Sequence, residues 1–315
     1  MLLALAGCGA NDDSELTSPV GVAVVPAQIA LASAPQKTPV VTKYEVPFQI
    51  ASDATRVVAR TSQGYLVSEN AGRNWRRLAR AIAPRDDSFG DSPAFEVSGT
   101  MTASFVIDPA GACRRVTFRR LGRAAHVTRA PGPCVGQLAV PDDRRALLLT
   151  TDYYVPGYQP ARPFYVSHDD GITWKRMSFL PNGLPEPNAL AADGDVVVSL
   201  WATIRPLVVS RDGGATWTRL ALPRDDCLSA DVSGHEIWIA CDRRVYRSPD
   251  AGQRWQAWNL PDVDLKGSPE TAGLIVDSIV ALGPRRAMVS TLGTSVLVTA
   301  DGGAHWRQRW PVLPG

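Results

Sequence analysis

Apolar residues along the chain come in short runs, each closed by turn-forming residues, and no stretch keeps a helical period. Tyr65–Val67, Phe164–Val166, Leu207–Val209 and Val296–Val298 are such runs. Between residues 227 and 258 four follow in succession: Cys227–Val232, Glu236–Cys241, Arg244–Arg247 and Trp255–Trp258. Glycine, proline and aspartate separate the runs, so the pattern predicts short antiparallel strands joined by tight turns, an all-β chain. The 25 prolines and 26 glycines supply many such turns.

A motif recurs at the turns: Ser/Thr-x-Asp-x-Gly-x-x-Trp. Its copies begin at Ser68, Ser167, Ser210, Ser248 and Thr299. They place Asp169, Asp212, Asp250 and Asp301 at the third position and Trp75, Trp174, Trp217, Trp255 and Trp306 at the eighth. The first copy carries Asn70 in place of aspartate. A strand-like run precedes each copy and another follows it, so each is read as the turn of a hairpin. The carboxylate accepts hydrogen bonds from the turn's own amides, and glycine takes a positive φ without a Cβ clash. The tryptophan opens the returning strand and offers apolar area for packing between units. Five of the nine tryptophans sit at this position, which marks them as scaffold.

This is the Asp-box, and from about residue 44 to 313 the chain resembles the sialidase-like Asp-box (BNR-repeat) β-propellers. The box glycines fall at 72, 171, 214, 252 and 303. The first interval is about twice the others, and Gly122 lies near its middle, between Cys113–Arg120 and His126–Thr128. A hairpin with a different turn is expected there. The expectation is therefore a six-bladed propeller of four-stranded antiparallel blades, with a seventh only if residues 18–42 hold a cryptic one.

Before the propeller the chain divides into residues 1–8 and a tether over 9–43, where Val20–Val25 and Ile29–Ala32 are the only strand-like stretches. Leu5-Ala6-Gly7-Cys8 matches a bacterial lipobox, with Cys8 as the acylated residue of a signal-peptide remnant. The apolar stretch before it is short and lacks a basic start, so a start upstream of Met1 or a truncated sequence is expected. A glycine after Cys8, by resemblance to Gram-negative lipoproteins, favours the outer membrane. The expectation is an exported, lipid-anchored, monomeric domain of the cell envelope.

Export would let cysteines 113, 134, 227 and 241 pair. Four cysteines allow three connectivities. Cys227 and Cys241 are symmetric about the turn at Gly234, and Cys113 and Cys134 about the turn next to Gly122. This predicts bridges 113–134 and 227–241, each cross-strand within one blade. In a cytosolic protein the four would be free thiols. No Cys-x-x-Cys occurs and the four histidines are scattered, so no metal or cofactor is expected. Net charge is +2, which gives no reason to expect nucleic acid.

In the resembling family the box turns lie on the face opposite the active site, so the box aspartates, and Asp170 beside one, are read as turn-formers. The opposite face would be built by connections between second and third strands and between blades. Tyr153, Tyr154, Tyr158 and Arg162 fall on one such loop, Trp201 and Arg205 on another, and Asp242–Arg244 on a third. Arg85–Asp87, Glu186 and Arg224–Asp226 fall between blades. Aromatics and arginines on loops of a rigid scaffold suit recognition of a protein or glycan ligand. A sialidase's first arginine stands in an Arg-Ile/Leu-Pro motif on the opening strand, and residues 46–58 contain none. The preferred expectation is a non-catalytic binding or assembly module. The alternative is an exported glycoside hydrolase drawing on Asp225, Asp226 or Glu186.

Overall fold

The computed structural model describes residues 47–52, 56–61, 64–77, 94–98, 101–105, 115–120, 124–132, 134–142, 144–151, 163–180, 189–200, 206–222, 227–261, 276–291 and 295–310. Their strands group in chain order into six four-stranded antiparallel sheets. Blade 1 holds β1 (Pro47–Ser52), β2 (Val57–Thr61), β3 (Gly64–Ser68) and β4 (Arg76–Arg77). Blade 2 holds β5 (Ala94–Ser98), β6 (Met101–Phe105), β7 (Arg115–Arg120) and β8 (His126–Arg129). Blade 3 holds β9 (Cys134–Asp142), β10 (Arg145–Thr151), β11 (Pro163–Ser167) and β12 (Lys175–Phe179). Blade 4 holds β13 (Ala189–Asp193), β14 (Val196–Leu200), β15 (Pro206–Ser210) and β16 (Thr218–Ala221). Blade 5 holds β17 (Cys227–Ser233), β18 (Glu236–Cys241), β19 (Arg244–Ser248) and β20 (Gln256–Asn259). Blade 6 holds β21 (Val276–Ala281), β22 (Ala287–Thr291), β23 (Ser295–Thr299) and β24 (Arg307–Trp310).

The first strand of each blade packs beside the first strand of the next, and β21 packs on β1, so the ring closes. Each sheet uses only consecutive strands, so no strand is exchanged across the seam. The seam is held by packing: Val280, Met288 and Val296 of blade 6 share a core with Ile50, Leu66 and Trp75 of blade 1. Ser278 Oγ also donates to Ile50 O at 3.4 Å. The second strands are the most apolar, as strands covered on both faces must be. Val196–Leu200 and Ala287–Thr291 are buried throughout.

Inner strands expose an edge whose amides have no sheet partner, and side chains of the neighbouring blade supply acceptors. Ser229 Oγ accepts from Ile279 N at 3.1 Å and Asp231 Oδ2 accepts from Ala281 N at 2.7 Å. Asp193 Oδ2 accepts from Gly234 N at 2.7 Å. These bonds answer the requirement that buried backbone groups be paired.

The bridge between Cys227 and Cys241 joins directly opposed residues of β17 and β18. For the other expected bridge, the assignment to one blade is corrected. Cys134 opens β9 of blade 3, whereas the blade 2 hairpin ends at Arg129. The chain turns through Ala130, Pro131 and Gly132 to the next blade before the cysteine is reached, so symmetry about the turn ran past the strand's end. Cys113 lies outside the described residues. So do Cys8, the tether and its strand-like stretches.

Candidate functional site

Each box has one geometry. In the third copy, Ser210 Oγ donates to Asp212 Oδ1 at 2.7 Å and accepts from Gly214 N at 2.8 Å. Asp212 Oδ1 accepts from Thr216 N at 2.9 Å, and Oδ2 accepts from the Thr216 hydroxyl at 2.6 Å. The second copy repeats these contacts through Ser167, Asp169, Gly171 and Thr173. In the fourth, Arg254 Nε replaces the threonine hydroxyl on Asp250 at 2.6 Å, and in the fifth His305 Nδ1 meets Asp301 Oδ2 at 2.7 Å. Asn70 keeps what the turn needs: its Oδ1 accepts from Ser68 Oγ at 3.1 Å and from Asn74 N at 2.8 Å.

Electrostatics follow from these bonds. Desolvation acts upward on Asp169, Asp212 and Asp250, but the hydroxyl or guanidinium and amide donors outweigh it and hold all three carboxyls low, Asp250 at about 2. The backbone amide and ring of His305 hold Asp301 lower still. Carboxylates so occupied are anchors of their turns, not free acids or bases.

The boxes also join blades. A Cβ on Gly303 would lie 2.8 Å from Trp258 of the preceding blade, and one on Gly252 would lie 2.5 Å from Leu220. Glycine at these positions thus meets both a left-handed φ and a close approach. The box tryptophans complete the joint. Trp217 meets the ring edge of Phe164 in blade 3, with centroids 5.1 Å apart, and donates through Nε1 to Ser178 Oγ at 3.0 Å. Trp174 packs against blade 2 near Phe118, Trp306 against Trp238 of blade 5, and Trp75 in the seam core. Trp255 packs on the core shared by blades 4 and 5.

Blade 2 has no box of its own, and its boundary with blade 3 carries polar contacts beside the blade 3 box. Arg120 on β7 makes a two-point ion pair with Asp170 in the blade 3 box turn, Nε to Oδ2 at 2.7 Å. His126 Nε2 lies 2.7 Å from Asp170 O, and the Thr128 hydroxyl donates to Gly171 O. Asp170 lies in the box turn, and its side chain does more than serve that turn. Its side chain reaches across the blade boundary to Arg120, while its backbone takes φ of 58°.

At the end of the ring opposite the boxes, second strands connect to third strands. Loop 152–162 leaves β10 and enters β11 in blade 3, and 201–205 joins β14 to β15 in blade 4. The adjacency of β9 and β13 makes these two blades neighbours. Tyr153, Tyr154, Tyr158, Arg162, Trp201 and Arg205 themselves lie outside the described residues, as do Arg85–Asp87, Glu186 and Arg224–Asp226. A described part of this face is the turn after β18. Arg243 O accepts from Leu260 N at 2.8 Å, and Asp242 O accepts from Val276 N at 3.3 Å. The buried 227–241 bridge lies at the base of this turn.

Towards the ring's centre, burial pushes the Asp231 carboxyl up to about 7 against its two amide donors, with the nearby Asp193 charge adding to the rise. Elsewhere carboxylates are spoken for: Asp142 by Arg145, and Glu236 by Arg247 and the Arg285 amide. Among the described residues, no group of His, Cys, Asp or Glu has the makings of a metal site.

The photosystem II assembly factor YCF48 family, a BNR-repeat family, matches residues 193–310, and the BNR/Asp-box repeat matches residues 165–176. No curated protein matches the sequence. A structure of YCF48 bound to D1 peptide is similar over 85% of this chain and 82% of its own, with 12% identity and a TM-score of 0.51. YCF48 from Cyanidioschyzon merolae is similar over 85% and 86%, with 14% identity and a TM-score of 0.50. The GH74 xyloglucanase from Xanthomonas campestris is similar over 86% of this chain but 46% of its own, with 16% identity and a TM-score of 0.52. At these identities the structural likenesses show the fold alone.

Proposed function

We propose that this chain, which belongs to the Asp-box β-propellers, is a non-catalytic module that binds a protein segment on the face opposite its boxes. The observation that carries the reading is the match of residues 193–310, blades 5 and 6 and most of blade 4, to an assembly-factor family. The fold shared with YCF48 bound to D1 peptide supports it. The occupied box carboxylates support it too, since Asp212 and Asp250 are held by their own turns. Loops 152–162 and 201–205, from adjacent blades, would supply Tyr153, Tyr154, Tyr158, Arg162, Trp201 and Arg205 as contacts. Export is part of the proposal. The Cys227–Cys241 bridge supports an oxidising compartment, and Cys8 in its lipobox would hold the protein at the cell envelope.

The test pairs two assays on the folded, bridged protein. One is turnover of fluorogenic glycosides that include a sialoside and a xyloglucan oligosaccharide. The other is selection from a random peptide library, with Arg162→Ala and Arg205→Ala as comparison proteins. The expected result is no turnover, with selected peptides that lose affinity for the loop variants. Turnover abolished by Asp225→Asn, Asp226→Asn or Glu186→Gln would replace this reading with a glycoside hydrolase.

A further inference from the structure

The first strands of three consecutive blades share one irregularity. Cys227 pairs with Cys241 and Ser229 with Ala240, which leaves Leu228 as an extra residue in β17. Val276 pairs with Thr291 and Ser278 with Ser290, which leaves Asp277 in β21. Pro47 pairs with Thr61 and Gln49 with Arg60, which leaves Phe48 in β1. Each extra residue is the second of its strand, at the end opposite the boxes. Blade 3 carries its shift one position further on, at Gly136, and the first strands of blades 2 and 4 pair without one. A bulge re-aims the residue it frees, and bulges gather at rims and beside binding sites.

The three positions are level and adjacent. Strand β17 packs beside β21, and β21 beside β1. Ser229, next to Leu228, accepts through Oγ from Ile279 N of blade 6 at 3.1 Å. Ser278, next to Asp277, donates through Oγ to Ile50 O of blade 1 at 3.4 Å. Each bond joins residues within two positions of a bulge on both strands, so Leu228, Asp277 and Phe48 lie on one arc along the inner edge of the loop face. Blade 5 shows what the bulge does. Ala230 and Val232 share a core with Ile237, Ile239 and Cys241, and strict alternation would put Leu228 on that face. The bulge puts Cys227 there instead, bridged to Cys241, and leaves Leu228 38% exposed. The bridge thus pins the bulge. One exposed leucine is ordinary, but the same irregularity at one level of three neighbouring blades is not.

We propose that this arc seats the bound protein segment and selects a basic residue flanked by apolar ones. Leu228 and Phe48 stand at the ends of the arc and Asp277 at its centre. The six first strands carry no Lys or Arg, so the charge offered along the inner edge is acidic, which complements a cationic guest. At the same end of blade 5, Arg244 is directed to the outer strand, where its Nε donates to Asn259 Oδ1 of β20 at 2.9 Å. The inference rests on the reading of this face as a peptide-binding one, and it adds blades 5, 6 and 1 to the loops of blades 3 and 4.

The test selects peptides from a random library on the full, bridged chain and measures the best of them by fluorescence anisotropy. The expected peptides carry Lys or Arg beside an aliphatic or aromatic residue. Leu228→Ser should weaken their binding roughly fivefold, the worth of re-exposing part of a leucine contact, and Asp277→Asn roughly threefold. Asp277→Lys should weaken it at least about tenfold, and a fresh selection on that variant should cease to enrich basic residues. Ile172→Ser, an equal change at the box end, should leave affinity within about twofold. Leu228 is exposed and Asp277→Asn is isosteric, so unchanged melting temperatures will show that folding is intact. Peptides that lose affinity for Arg162→Ala and Arg205→Ala but bind the Leu228 and Asp277 variants unchanged overturn this inference and leave the wider reading standing. An equal loss with Ile172→Ser, or selected peptides without basic residues, also overturns it. A library that yields no binder overturns both.

Discussion

Replacing Trp217 by alanine tests the claim that box tryptophans weld each blade to the one before it. The ring is half-buried, meets Phe164 edge-on at 5.1 Å, and donates to Ser178 Oγ at 3.0 Å. Truncation of a fully buried tryptophan costs about 3–5 kcal/mol. Partial exposure places this site at the low end. Within that total the aromatic pair accounts for about 1 kcal/mol and the indole hydrogen bond for about 1 kcal/mol. Ser178 keeps its other partner, because its hydroxyl donates to Gly214 O at 2.5 Å, so no buried group is orphaned. The expected cost is about 3 kcal/mol, which for a domain of this size lowers the melting temperature by roughly 6–12 °C. Trp217→Phe keeps a ring against Phe164 and loses only the donor, so it should lower it by about 3 °C. Circular dichroism melts of the three proteins read both values. If Trp217→Ala moves the midpoint by less than about 2 °C, the tryptophan does not join blades 3 and 4 energetically and the packing argument fails.

Three further outcomes follow from charge and connectivity. Asp231 titrates at about 7 in the folded ring and near 4 when unfolded, so the folded state binds more protons between those values. The contribution of Asp231 is therefore full below pH 4 and lost as pH rises to 7, and Asp231→Asn should make stability depend less on pH in melts between 4 and 7. Asp250 has the opposite sign: its carboxyl is held at about 2, so its contribution is present above pH 4 and lost as pH falls through 2. Asp250→Asn should behave at neutral pH as the natural Asn70 box does, keeping the Oδ1 acceptor, and should reduce the acid-induced loss seen in the unmodified protein. Opening the Cys227–Cys241 bridge by a double serine substitution should cost ~3 kcal/mol on the loop-entropy account, read as a lower denaturant midpoint. No change there would mean that the directly paired strands already hold the loop closed.

Local chemistry was legible in the sequence, and contacts between distant segments were not. The box fixes its own turn within a few residues, so five hairpins and their tryptophans can be read without a structure. The four strands of blade 5 follow the runs at Cys227, Glu236, Arg244 and Trp255 to within a residue or two. The box-less hairpin of blade 2 is also visible, because alternation in Arg115–Arg120 and His126–Arg129 survives loss of the motif. Its fastening is not. Arg120 and Asp170 are fifty residues apart, and no spacing rule connects a strand-end arginine to the residue after a box aspartate. Cys134 shows the same limit from the other side. Symmetry about a turn describes a hairpin only as far as the hairpin runs, and a proline and a glycine ended this one before the cysteine.

The boxes assign stability and recognition to different ends of the ring. Every box hydrogen bond, the glycine approaches and the tryptophan joints gather at one end and the outer rim, where exchange of a carboxylate for a free catalytic acid would undo a turn. The opposite end carries the connections 152–162 of blade 3 and 201–205 of blade 4. A ring built this way can change its ligand by changing loops alone. The boundary between blades 2 and 3 carries both kinds of joint: the blade 3 box packs Trp174 and Gly171 on blade 2, and Arg120 adds a two-point ion pair to Asp170. Substituting Arg120 with methionine removes the pair and leaves the box, so it should lower the melting temperature while Trp174→Ala lowers it further. An unchanged midpoint for the arginine variant would show that the box alone holds this boundary.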